Sequence, residues 1–419
     1  MPVRKKKKAH ANRLKVEKAQ HLKQFVHDVK CIIERSSGAE VLRYIPEYEF
    51  EVIYKFLFRP VNIRAASGED ISDDVLRLSN CMLSHLFKYT IIKLNIGEID
   101  QLSLYHYYSL GYTIMAYITW LADDAYPHAM EVKKALAPWG TLIESAADEE
   151  AMDKFYGIMF MIAVFFSDLT DHLYTLEYNP NFLQRGFMNL GVYSEMYKRP
   201  VSQIKVRIEE HMRPAWQLGW GFPGQDRQLS YMSIKSEDVF LAPGNMLDVY
   251  IQSHALNRLA ERLDGVETGV LHFNIYNSLS ELKVCKSRKG FLMFDYAIFG
   301  KKAGYFLGEV VDGKIVLKTF LFLTNTGTPE AEKLKAATGL MKEDIMYLAI
   351  DKLSTFVYSD IAGNDRIKQL FIDAGCESLF KIDKGHFAGR GDDAITAKAE
   401  MIAKYLQVDA LPDYRGFSK

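Results

Sequence analysis

Apolar side chains recur at three-to-four spacing from residue 31 to about residue 235, the pattern of helices that turn one stripe toward a core. In Asp74–Leu94 that stripe is Leu76, Leu78, Met82, Leu83, Leu86 and Phe87, while Lys133–Ile143 is broken by Pro138 and Gly140. Two stretches are uncharged enough for a membrane test: Gln101–Ala122, with no Asp, Glu, Lys or Arg over 22 residues, and Phe155–Ser167, apolar over 13. The first reaches the ~20 residues that span a bilayer, but Gln101, Ser103, His106, Ser109 and Thr113 dilute it, and the second is too short. Both are expected to pack inside a helical bundle, with no membrane partner. Tyr105, Tyr107, Tyr108, Tyr112, Tyr117 and Trp120 then supply core bulk whose polar tips need partners.

The pattern changes at Trp216–Gly224, a Gly/Pro-rich stretch that reads as a linker, and again at Pro243-Gly244. Beyond them lies a three-strand meander: Gly290–Phe299, a turn at Gly300-Lys301-Lys302, Tyr305–Val311, Asp312-Gly313, and Lys314–Leu323. An Asp-Gly dipeptide between two β-rich runs predicts a two-residue hairpin with positive φ at both central positions. Such a turn sets Val311 opposite Lys314 and, stepping outward, Gly308 opposite Leu317, Leu307 opposite Lys318 and Phe306 opposite Thr319. Phe306, Val310, Ile315, Leu317, Thr319 and Leu321 would form the core face. Tyr305, Glu309, Lys314, Lys318 and Phe320 would form a mixed face, either solvated or a ligand platform.

Helical signals return at Thr328-Pro329-Glu330, a cap with proline at N1, at Met341–Tyr358, and at Ile395–Leu406. The expected fold class is α+β. A basic arm (1–30) leads into a large helical N-terminal domain (31–235), a small helix-plus-antiparallel-meander module (236–330), and a helical C-terminal section (331–419).

Charge refines this picture locally. Lys plus Arg total 52 against 53 acids, which excludes a globally basic nucleic-acid coat. Residues 1–30 nevertheless carry ten Lys/Arg against Glu17 and Asp28, a net of +8, with Arg4, Lys5, Lys6, Lys7 and Lys8 clustered as candidate nucleic-acid contacts. Cys31, Cys81, Cys285 and Cys376 form no C-x-x-C pair, and no apolar leader is visible, so a reducing, cytoplasmic setting is expected.

The candidate chemistry sits on Ser253–Leu263. Ser253 reads as an N-cap, with Leu256, Leu259, Ala260 and Leu263 as the packed side and His254, Arg258, Glu261 and Arg262 as the polar side. An imidazole and two guanidiniums on one stripe suit phosphate chemistry. Periodicity alone also allows a solvated charged face.

This order, a Ser-His-Ala-x-x-Arg-x-x-Glu-Arg helix, a second helical stretch Glu267–Leu282, then a meander, resembles the compact ribonuclease toxins grouped with barnase, colicin D and RelE. The likeness covers about residues 246–326. It implies that His254 is a general acid/base and that Arg258, Arg262 and Lys318 bind the scissile phosphate. Such a site needs no metal or cofactor: a base takes the ribose 2′ proton and the oxygen attacks the adjacent phosphorus. Lys286, Arg288 and Lys289, entering the first strand, would position RNA, and Tyr305 on the mixed face would touch substrate.

Other constellations read as structural. Asp168 and His172, with Asp171, share a helical face but are too few for a metal site. Glu209, Glu210, His211 and Arg213 read as a charged helix face, and Gly385–Asp393 as a cap for the following helix. The expected function is RNA binding, RNA before DNA, with a metal-independent ribonuclease module. The alternative is a non-catalytic scaffold or adaptor that binds protein or nucleic acid through the arm and the mixed sheet face.

Overall fold

The computed structural model describes residues 2–58, 61–142, 145–178, 193–208, 210–222, 229–383, 385, 401–402 and 405; side chains are described for the same residues except 2–15, 178, 193 and 208. The fold is α+β. The chain divides into two units, residues 1–163 with 175–198 and 222–228, and residues 164–174 with 199–221 and 229–419.

Helices dominate the first unit. The first runs Pro2–Ser37 and contains Arg4, Lys5, Lys6, Lys7 and Lys8, whose side chains lie outside the described residues. The arm boundary expected at residue 30 falls inside this helix, which buries Phe25, Val29, Ile32 and Ile33. Its later turns are therefore packed helix. Helix Asp73–Tyr89 begins where Ser72 Oγ accepts the Val75 N–H at 3.3 Å, and it buries Leu83 and Phe87 but exposes Leu78. It stops at Tyr89, short of the expected Leu94. Ile92, Leu94 and Ile96 alternate with exposed neighbours, the period of a strand, and Ile91–Ile96 pairs with Ile99–Ser103 as a hairpin.

After that hairpin, the uncharged stretch forms a short helical turn, a π-helical turn Tyr107–Gly111 and a helix Tyr112–Trp120. Among the described residues no helix is long and apolar enough to cross a membrane. The tyrosine tips find carboxylates: Tyr107 and Tyr112 donate to Asp148 Oδ1 at 3.2 and 2.5 Å, and Tyr117 donates to Glu49 Oε2 at 3.0 Å. Burial first, then Asp148 for Tyr107 and Tyr112, and Tyr126 ahead of Glu49 for Tyr117, hold all three phenols well above their ordinary range, so they stay protonated donors. Trp120, expected in the core, is 64% exposed at the helix end.

Much of 172–235, expected as helix, is strand: His172–Tyr178, Tyr193–Pro200, Gln203–Ile208, His211–Gln217, Gly219–Gly221, Leu229–Tyr231 and Ser233–Lys235. In Gln203–Ile208 the β-branched Ile204, Val206 and Ile208 alternate with polar residues, and Ile208 pairs with His211 across a hairpin. Glu210, His211 and Arg213 thus belong to that hairpin instead of a helix face, while Glu209 lies outside the described residues. Trp216 pairs with Gln203 and Ile251, and Gly219–Gly221 pairs with Leu229–Tyr231, so residues 216–221 are sheet and not linker. Asp168 and His172 follow the helix Ala146–Phe166 and face each other across a tight bridge, not along a helix; His172 Nδ1 lies 2.8 Å from Asp171 Oδ2.

The second unit is built on an eight-stranded sheet among the described residues, ordered Val284–Lys286, Leu292–Ile298, Lys301–Val311, Lys314–Phe322, Met246–Ile251, His211–Gln217, Gln203–Ile208, with Ser233–Lys235 paired beside Met246–Ile251. The predicted meander supplies three consecutive antiparallel strands of it. Met246–Ile251 joins it in parallel, with Val249 opposite Ile315 and Ile251 opposite Leu317. Both meander turns have two central residues at positive φ, Asp312 (48°) with Gly313 (71°), and Phe299 (50°) with Gly300 (70°). The first turn therefore falls one residue earlier than expected, and Lys301 and Lys302 begin the next strand.

Register follows the prediction from Val311–Lys314 to Gly308–Leu317, and then slips. Leu307 pairs with Thr319 and Phe306 with Phe320, leaving Lys318 as the extra residue of a β-bulge. Parity inverts beyond it: Phe320, expected on the mixed face, is buried edge-on against Tyr296 and Phe306 with ring centroids 5.5 Å apart in each pair. Thr319 and Leu321, expected in the core, are half-buried. Gly304 permits this packing, since a Cβ there would lie 2.2 Å from the Leu321 carbonyl oxygen and 2.6 Å from the Phe320 ring. Tyr296, fully buried, donates to the Leu271 carbonyl at 3.1 Å and so ties the aromatic cluster to helix Thr268–Ser280.

Toward the C-terminus, Thr328 Oγ1 caps helix Pro329–Thr338 by accepting the Ala331 N–H at 3.1 Å. Met341–Tyr358 is two helices, Lys342–Tyr347 and Leu353–Tyr358, interrupted where Ala349 takes a φ of 51°. The Gly385–Asp393 stretch, apart from Gly385, lies outside the described residues, as does most of Ile395–Leu406.

Gly313→Val tests the hairpin. A Cβ at Gly313 would meet nothing within 4 Å, so the cost is backbone strain alone. Chemical denaturation should show a loss of about 1–3 kcal/mol, whereas unchanged stability would mean that the turn tolerates a β-branched residue at positive φ.

Candidate functional site

Strand Met246–Ile251 leaves the sheet just where its partner continues. The Gln252 N–H still bonds the Leu317 carbonyl at 3.0 Å; Gln252 then serves as N-cap, and Ser253, expected in that role, is the first residue of helix Ser253–Arg262. Thr319, Phe320 and Leu321 are therefore paired with Lys301–Val311 on one side and lie beyond the end of the parallel pairing on the other. A cleft of about 360 Å³ opens there. His254, Arg258 and Arg262 line it from the helix, Thr319–Leu321 from the strand. Asn325 and Thr326 of the following turn, with Lys342, Ile345 and Met346 of helix Lys342–Tyr347, complete the wall.

The three predicted helix residues thus share one cleft, but in different states. Each step of four residues turns a helix face by roughly 40°, so a stripe at i, i+4 and i+8 drifts around the cylinder. His254 is exposed, Arg258 half-buried and Arg262 only 8% exposed. The packed side is Ala255, Leu259, Arg262 and Leu263, while Ala260 is exposed and Leu256 half-buried, which corrects the expected assignment of faces.

Arg262 tolerates burial because its Nη1 pairs with Asp351 Oδ2, whose side chain is 2% exposed. Burial pushes the Asp351 carboxyl above its ordinary range, and the Arg262 guanidinium pulls it back. Arg258 Nη1 donates to Glu261 Oε2 at 2.6 Å, an exposed pair that fixes the guanidinium without adding much stability. Neither arginine brings uncompensated charge. The cationic excess comes from exposed Lys342, and His254 makes no hydrogen bond or ion pair among the described residues.

The remaining predicted residues stand elsewhere. Lys318, at the bulge, lies 3.1 Å from Glu309 Oε1 and over the Phe291 ring, outside the cleft lining. Tyr305 is buried and donates to Glu330 Oε1 at 2.8 Å while accepting from Lys302 Nζ at 2.8 Å, so it is a structural link to helix Pro329–Thr338 and touches no ligand surface. Lys286 lies on the opposite sheet edge over the Phe240 ring, Arg288 pairs with Glu332 at 3.0 Å, and Lys289 is exposed beside it. Three strands separate that edge from Met246–Ile251, and none of the three residues lines the cleft.

No protein-family profile, curated protein or solved structure matches the chain. Its chemistry must be read from the cleft itself. Among the described residues no three His, Cys, Asp or Glu side chains come together to hold a metal. Arg258, Lys342 and the imidazole of His254 line the same cleft. Lys342 was missed because it lies on a different helix, 80 residues after Arg262, and no spacing rule connects the two.

Asp351→Ala should cost about 3–5 kcal/mol in denaturant unfolding by leaving the Arg262 guanidinium buried and unpaired, and adding Arg262→Met should restore much of the loss. Equal stability of Asp351→Ala and wild type would mean that the pair does not hold the helix.

Proposed function

We propose that this cleft binds single-stranded RNA by a backbone phosphate, and that His254 moves the proton in a metal-independent cleavage beside the 2′-hydroxyl. One observation carries the reading: His254, Arg258, Arg262 and Lys342 line a single cleft, in which Glu261 and Asp351 pair with the two arginines and Lys342 adds the cationic excess. RNA is favoured over a free small anion by exposed aromatics next to it. Tyr347, 70% exposed, directly follows the lining residue Met346, and its ring lies 6.0 Å from that of Tyr405, 45% exposed. Unstacked bases pack on such rings.

In this reading His254 takes the 2′ proton, the 2′ oxygen bonds to phosphorus, and the 5′ oxygen leaves and takes up a proton. The products are a 2′,3′-cyclic phosphate and a 5′-hydroxyl end. Arg258 and Lys342 hold the developing charge, the role expected of Lys318 passing to Lys342. The basic first thirty residues add attraction that carries no sequence information. The likeness to compact ribonuclease toxins in the order of helix, helix and meander supports the same reading.

Incubating the full chain with labelled total RNA in EDTA, followed by end-group analysis, is the test. Cyclic phosphate ends are expected. His254→Ala should fold normally and lose about 100-fold or more of the cleavage. Arg258→Lys should also impair it, because an ammonium cannot replace a forked guanidinium on phosphate. RNA retention without cleavage would reduce the cleft to a binding site, and loss of both would leave the adaptor reading.

A further inference from the structure

The first unit contains a larger cavity, about 600 Å³, that plays no part in the function above. Helices Pro2–Ser37 and Asp73–Tyr89, with the segment Tyr105–Leu110, contribute to its wall. Its floor is apolar, formed by the buried Phe25, Leu83, Phe87 and Leu110.

Two polar groups in the wall are left incomplete. Asp28 is half-buried; its Oδ1 accepts from Gln24 Nε2 at 2.8 Å, and no cation pairs with it among the described residues. Lys88 lines the same cavity without reaching it as an ion pair. His106, also in the wall, is held below its ordinary range by burial, against the opposing field of Asp28, so at neutral pH it supplies no counter-charge. The second group is Ser109, 4% exposed, whose Oγ has no hydrogen-bond partner. It sits in the π-helical turn Tyr107–Gly111, a local irregularity that recurs at functional sites. A half-buried carboxylate with no paired cation among the described residues, beside an apolar wall, is complementary to one ligand chemistry.

We propose that this cavity binds a small organic ammonium ion, with its apolar body on Phe25, Leu83, Phe87 and Leu110 and its N–H groups directed to Asp28. The cavity volume suits a molecule of that class, since small-molecule pockets commonly enclose roughly 300–1,000 Å³.

Isothermal titration of the full chain with naphthylmethylamine, naphthylmethanol and naphthylacetate separates ring from charge, because the three share an apolar body and differ in the polar end. The amine should bind tightest and the acetate weakest. Asp28→Asn should weaken the amine by about tenfold and leave the alcohol unchanged. Ser109→Ala removes an unpaired buried hydroxyl that the cavity does not reach, so it serves as the control: its melting temperature should equal or exceed that of wild type and its affinity for the amine should be unchanged. Binding of none of the three, acetate binding as tight as amine, or an Asp28→Asn protein that folds by circular dichroism and retains full amine affinity would each overturn the proposal.

Discussion

The buried Arg262–Asp351 pair is the constraint on which the cleft depends. Arg262 closes the helix that carries His254 and Arg258, and Asp351 follows the helix that carries Lys342. This ion pair, with the Ser354 N–H and hydroxyl donating to Asp264 at 3.0 and 2.8 Å, joins two walls that lie far apart in sequence. A guanidinium can be taken out of water at this cost only with a matched carboxylate. Arg262 packs on the same side of the helix as Ala255, Leu259 and Leu263, which leaves His254 exposed.

The floor of the cleft has a different origin. A parallel strand that ends at Ile251 while its partner runs to Phe322 leaves strand backbone beyond its last ladder pair, and the Ser253 helix takes that place. The bulge at Lys318 then decides which side chains arrive. It sends Phe320 into the aromatic core with Tyr296 and Phe306, and it brings Thr319 and Leu321 to the lining, while Lys318 is diverted to Glu309. Chemistry and packing are thus separated by a single extra residue.

Local signals explain what was legible in the chain. Asp312-Gly313 specifies its turn through backbone sterics alone, and the first four pairs of that hairpin follow from it. The Thr328-Pro329 cap is equally local. The bulge was not legible, because its register depends on where Phe320 finds room among Tyr296, Phe306 and Gly304. Residues 203–208 carry a period-two pattern, but only over six residues inside a longer stretch with three-to-four apolar spacing. Placement of Arg262 depended on a partner 89 residues away, and that of Tyr305 on Glu330, neither of which any spacing rule connects. Of the predicted cleft residues, those on one helix stayed together and those on other elements dispersed.

The central claim, that Arg258 and Lys342 form the phosphate contact and Lys318 does not, is tested most directly by the salt dependence of binding to a short fluorescent single-stranded RNA. Each phosphate contact contributes about 0.7 to the slope of log affinity against log salt. The account predicts that the Arg258→Ala/Lys342→Ala protein binds more weakly with a slope shallower by about 1.4, while Lys318→Ala keeps the wild-type slope. An unchanged slope in the double variant, or an equal loss in Lys318→Ala, would contradict it.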